Sequence, residues 1–135
     1  MKKKLILSVM LIALVFVGIK PVHAAAALPG GGVSFPNEAL DCGVWPDGPV
    51  HSGAYVINTA YVTCATVHPW IRVVAGIQMS GASEVSRSKT CYAVSSCHVD
   101  VSVPYQTNKL WAASVSGYIN GWQGYYTTGM VPVQY

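Results

Sequence analysis

Charge is scarce in this sequence. Asp, Glu, Lys and Arg together make up 10% of its 135 residues, too few for the clustered cations that phosphate binding requires, so a nucleic-acid partner is not supported. No C-x-x-C pair occurs, which argues against both a structural zinc site and a thioredoxin-like dithiol. No G-x-S-x-G elbow marks a hydrolase nucleophile. Helical periodicity of useful length is missing, as is any internal repeat of about 20–50 residues. Nothing in the chain implies a cofactor or a bound metal.

What is present begins with an export signal. Lys2, Lys3 and Lys4 precede the uncharged stretch "LILSVMLIALVFVGI", and "VHA" (Val22, His23, Ala24) places small residues where a signal peptidase reads them. The apolar run is shorter than the roughly 20 residues of a comfortable bilayer span. Residues 1–24 are therefore expected to be a cleaved signal peptide, leaving no transmembrane segment in the mature chain and a secreted, extracellular location. Cleavage removes Lys2, Lys3, Lys4 and Lys20, so the formal charge of +3 belongs to the precursor; Arg72, Arg87, Lys89 and Lys109 then face Glu38, Asp41, Asp47, Glu84 and Asp100, a net charge of −1.

Residues 25–41, with three consecutive glycines and two flanking prolines, read as a flexible leader. Residues 42–135 read as one domain, its size sufficient for a single core. "WPDGPV" has the composition of a tight turn. "AYVINTAYVTCATV" alternates, with Val56, Val62 and Cys64 on one face. "HPW" interrupts it through Pro69, and Trp70 is expected to plug the core. "IRVVAGIQM" puts Ile71, Val73, Ala75, Ile77 and Met79 together. "EVSRSKTCY" is a weaker strand, "CHVDVSVPY" aligns Val99, Val101 and Val103, and "KLWAASVSGYI" aligns Trp111, Ala113, Val115 and Ile119. Asn120-Gly121 is a strong type I′ hairpin signal before the return strand "WQGYYTTGMVPV". These runs and turns define an all-β fold: a single antiparallel β-sandwich, immunoglobulin-like, with a small closed β-barrel as the alternative.

Cys42, Cys64, Cys91 and Cys97 are even in number in a small exported domain, which reads as two disulfides. Three pairings are possible. Loop-closure entropy separates them poorly, but five intervening residues suffice to turn a chain and bring the Cα atoms of Cys91 and Cys97 within about 6 Å. That choice leaves Cys42 with Cys64. The early cysteine, the second one in "YVTCAT", then "CYAVSSC" and "LWAASVSGYING" together resemble small two-disulfide secreted proteins of Gram-positive bacteria. The resemblance covers roughly residues 42 to 128. It implies a secreted β-rich domain and transfers no catalytic residue.

Reactive constellations are thin. His98 and Asp100 share a strand face and could join a serine in a nucleophile–base–acid set, but simple alternation opposite Val99, Val101 and Val103 already accounts for them. Asp100 and Glu84 could serve as a carboxylate pair only if folding brought them together. "YINGWQGYY" is richer, clustering Tyr118, Trp122, Tyr125 and Tyr126 about a hairpin. Aromatic rings beside amides suit sugar stacking or protein recognition as well as ordinary cross-strand packing. Parity puts Trp122 and Tyr126 on one face and Tyr125 on the other. The expected function is a secreted, non-enzymatic binding protein that recognises an extracellular protein or glycan, or another cell-envelope partner, through this aromatic surface. A bacteriocin-like toxin acting on neighbouring cells and a small secreted hydrolase are the alternatives.

Overall fold

The computed structural model describes residues 33–34 and 41–135. The expected signal peptide and most of the leader lie outside the described residues. Six strands occur among those that are described: β1 (Val33–Ser34), β2 (Cys42–Ser52), β3 (Tyr55–Met79), β4 (Val85–Pro104), β5 (Trp111–Ile119) and β6 (Trp122–Thr127). All of their pairings are antiparallel, in the order β1-β2-β3-β5-β6, with β4 on the other edge of β3.

Strand β3 organises the molecule. Its first part, Tyr55 to Cys64, pairs with β2, and its second part, Arg72 to Met79, pairs with β5. Strand β4 accompanies it throughout, apart from a register shift between Thr63 and His68. There β3 leaves residues 64–67 unpaired with β4, against Ser95 on the partner strand, and Ala93 adopts a positive φ of 51°. Such an unequal insertion bends a strand pair. The antiparallel sheet therefore curls into a half-barrel. A first half contains β1, β2, residues 55–63 and residues 96–104. A second half contains residues 71–79, residues 85–91, β5 and β6.

The core follows from alternation in each half. In the first, Val56, Ala60, Val62 and Cys64 are buried, together with Val44 of β2 and Cys97, Val99 and Val101 of β4. In the second, Ile71, Val73, Ala75 and Ile77 pack with Trp111, Val115 and Ile119. The inward parity of β3 changes from even to odd across the bend, which is what an odd excess of residues, here three, does to a period of two. These are the apolar faces the alternation predicts. Each medium or large apolar side chain fully buried there adds about 1.5–3 kcal/mol relative to exposure.

Several local expectations are corrected. "WPDGPV" is not a turn but part of β2, with a cis Gly48–Pro49 bond and a register shift between Asp47 and Val50. Among the described residues β1 covers β2 only at Gly43 and Val44, and there the prolines occupy an edge, where a missing N–H costs no ladder bond. Pro69 does not divide β3 into two strands. It falls at the bend between the paired residues His68 and Trp70. Likewise "EVSRSKTCY" and "CHVDVSVPY" are one strand with a bend, not two. Trp70 is not the core plug: its parity is outward, and it lies half-buried opposite Tyr92. The tryptophan fully buried in the core is Trp111.

Candidate recognition surfaces

The cysteines pair as Cys42–Cys64 and Cys91–Cys97. Cys42 and Cys64 are direct cross-strand partners on β2 and β3, with Cα atoms 4.0 Å apart. Cys91 and Cys97 flank the bend within β4, 5.8 Å apart, so this link clips a bent strand rather than a hairpin. Both bridges thus bracket the place where the sheet folds over. His68 lies in the same region, its Nε2 3.6 Å from Cys42 Sγ. Cys42, Cys64 and His68 bring one ligand-type atom each within 4.8 Å of one another. Zinc binds thiolate sulfur, however, and here both sulfurs are bonded to each other.

The outer face of the first half is built by register. Trp45 on β2, Tyr61 on β3 and His98 on β4 are consecutive cross-strand neighbours. Their rings form a row, with centroids 5.6 Å apart at 14° for Trp45 and Tyr61, and 5.7 Å apart at 28° for Tyr61 and His98. The next register row is Asp47, Thr59 and Asp100, both aspartates exposed. Ser96 and Ser102 share the outward parity of β4. Among the described residues no serine hydroxyl is hydrogen-bonded to His98, whose ring packs on Tyr61 instead. Glu84 accepts a 2.8 Å hydrogen bond from the Ser114 hydroxyl in the second half, away from Asp100.

The hairpin aromatics divide as strand parity requires. Asn120 and Gly121 both have positive φ, 47° and 81°, as a type I′ turn demands. Tyr118 pairs with Gln123 and Ser116 with Tyr125, placing both tyrosines on the outer face. There Gln123 Nε2 donates to Tyr118 Oη at 3.2 Å, and the Arg72 guanidinium lies 5.6 Å from the Tyr118 ring centre. Trp122 and Tyr126 take the inward side, opposite Ile119 and Val115. Tyr126 packs against the core, whereas Trp122 overhangs it and stays 43% exposed. Tyr125 is 54% exposed. The four residues therefore form two small surfaces, not one. Trp45 and Tyr61 were not singled out by the sequence, since only the pairing of β2 with β3 makes them neighbours of His98.

Two smaller features complete the picture. A cavity of about 230 Å³ opens near the end of the sheet, lined by Ile77, Met79, Val85, Val103 and Trp111 among others; small-molecule sites usually run from about 300 Å³ upward. Across the Val50–Gln134 bridge the His51 N–H donates to the Gln134 carbonyl at 2.7 Å and the Gln134 N–H to the Pro49 carbonyl at 2.9 Å, and His51 stacks on Tyr105 at 4.1 Å. The Tyr105 hydroxyl meets that of Tyr135 at 3.5 Å, and this hydrogen bond is the main cause holding the Tyr105 pKa above its ordinary value.

No protein-family model matches the chain, and no curated protein does. A solved structure described as the solution structure of R. palustris CsgH matches over 65% of this chain and 89% of that one, with 15% identity and a TM-score of 0.43. At that level the likeness carries no functional assignment. Among the described residues no helix is long and apolar enough to cross a membrane.

Proposed function

We propose that this chain is an exported, non-enzymatic recognition domain that binds an extracellular protein or glycan through aromatic side chains displayed on a covalently pinned sheet. The observation that carries the reading is the exposure of large rings at the β5–β6 hairpin, where Trp122 and Tyr125 are 43% and 54% accessible while the core is closed by Trp111. Trp and Tyr give large rigid contact areas at low entropic cost, which is why they dominate binding hot spots. Export fits the two disulfides, which persist in oxidising compartments. The candidate surfaces are the two faces of this hairpin, Trp122 with Tyr126 on one and Tyr118 with Tyr125 on the other, with the Trp45–Tyr61–His98 row as a further aromatic platform.

The test is a glycan array and an envelope pull-down with the mature oxidised protein. Trp122→Ala, on the inward side, or Tyr125→Ala, on the outer face, should weaken a captured ligand at least about tenfold, the range of a hot-spot truncation of 1–2 kcal/mol or more, with thermal unfolding unchanged. No enrichment over a fold-matched disulfide protein, or full binding by both variants, would remove the reading.

A further inference from the structure

Charge is segregated between the two halves of the sheet. The outer face of the first half is formed by β2, residues 55–63 and residues 96–104. It carries Asp47 and Asp100, with Asp41 immediately before β2, and contains no Lys or Arg. Arg72, Arg87 and Lys89 all belong to the second half, the last two exposed along β4, whose far edge pairs with no other strand among the described residues. The acid nearest to them in sequence, Glu84, is engaged with Ser114. Each molecule thus displays an acidic aromatic face and, elsewhere on its surface, the cations that complement it.

We propose that the outer face of the first half docks the β4 edge of a second copy. Arg87 and Lys89 of one molecule seat against Asp47, Asp100 and the Trp45–Tyr61–His98 row of the next. Carboxylates beside aromatic rings suit guanidinium and ammonium groups on two counts, charge complementarity and attraction of a cation to the ring quadrupole. The same two cations hinder strand-to-strand pairing along their edge, so the contact runs from edge side chains to a sheet face. The two surfaces are different, which makes the interface heterologous. Each added copy leaves one acidic face and one basic edge free, and the contact can repeat head to tail. This association is independent of the aromatic hairpin assigned above.

Sedimentation equilibrium of the oxidised mature chain tests it. Exposed ion pairs are individually weak, so loading concentrations should reach roughly millimolar, in buffers of about 20 mM and about 0.5 M salt, where the screening length falls severalfold. At low salt the weight-average mass should rise above the monomer with concentration, and at high salt it should return to the monomer. An Asp47→Lys/Asp100→Lys variant and an Arg87→Glu/Lys89→Glu variant should each stay monomeric, while their equimolar mixture associates again. All four positions are exposed, and unchanged melting with two intact disulfides verifies each fold. A wild-type protein that remains monomeric at low salt overturns the proposal. So does association that survives either reversal, or a mixture that stays monomeric.

Discussion

Asn58 is the sharpest test of how the two halves are held face to face. It is fully buried in the first part of β3, and its Nδ2 donates to the carbonyls of Gly76 at 2.8 Å and Ser114 at 2.9 Å, both in the second half. Its Oδ1 has no hydrogen-bond partner among the described residues. Replacing Asn58 by Ala removes two hydrogen bonds worth about 1 kcal/mol each and opens a small cavity, but it also removes the uncompensated oxygen. The net loss should be about 2 kcal/mol. With m of about 1–1.5 kcal/mol/M in urea for a domain of this size, the midpoint should fall by roughly 1.3–2 M.

Asn58→Asp separates this account from simple packing, because it keeps the volume and exchanges a donor for an acceptor. At neutral pH a carboxylate would then face two carbonyl oxygens in a dry core, costing more than about 4 kcal/mol. Burial raises the folded-state pKa of such an acid above the unfolded value of about 3.9. A raised acid pKa means that the folded state binds the extra proton, so stability falls as pH rises from the unfolded pKa to the folded one. The Asp variant should therefore approach Ala-like stability below about pH 4 and be much worse at pH 7, measured against wild type at each pH by urea unfolding. Equal stability of Asp and Asn at pH 7, or an Asp deficit that ignores pH, would refute the bridging role.

Gly76→Ala should cost about 1–3 kcal/mol, the range of overpacking, because an added Cβ would meet the Glu84 carboxyl at 2.6–2.7 Å and crowd Ser114 Oγ as well; Glu84→Ala in the same background should recover part of the loss in thermal unfolding. Chain-entropy estimates put the loss at about 3.4 kcal/mol for Cys42→Ser/Cys64→Ser and about 2.4 kcal/mol for Cys91→Ser/Cys97→Ser, so denaturant midpoints should drop further for the first pair. The Tyr105 pKa is raised through its hydrogen bond to Tyr135. Whatever that contact contributes is thus fully present below the ordinary tyrosine pKa of about 10 and lost above it. Hydrogen exchange of the His51 and Gln134 amides should accelerate above that pH in the wild type, and this pH dependence should weaken in Tyr105→Phe.

Alternation along each strand was readable, because a period of two needs only local sequence. Val99, Val101 and Val103, or Ile71 through Ile77, announce an inward face wherever the strand is placed. The continuity of β3 was not readable. Pro69 looks like a terminator in a central ladder, and only the register shift opposite Ala93 and Ser95 gives it a position that needs no donor. The same holds for Pro46 and Pro49, whose turn-like neighbourhood is part of β2, paired with β3 on one side and with no β1 partner among the described residues on the other. Cysteine spacing conveyed that 91 and 97 could meet; it carried nothing about the bend they brace.

The aromatic row shows where local reading ends. Tyr61 and His98 are 37 residues apart by their numbering, and Trp45 comes from a third strand; no spacing rule joins them until the pairing of β2, β3 and β4 fixes the register. That register is itself constrained at its edges by the Cys42–Cys64 bridge, which pins β2 to β3 three positions from the Trp45–Tyr61 pair. A one-residue slip would turn Tyr61 toward the core and Val62 toward solvent, so the bridge protects the displayed face as well as the fold. Loss of this bridge should therefore disturb the ring row before it unfolds the domain. Rings held this way lose little freedom when a partner arrives, which lowers the entropic cost of binding. In the proposed recognition role, the covalent ties at the bend and the Trp45–Tyr61–His98 row on the outer face would act together.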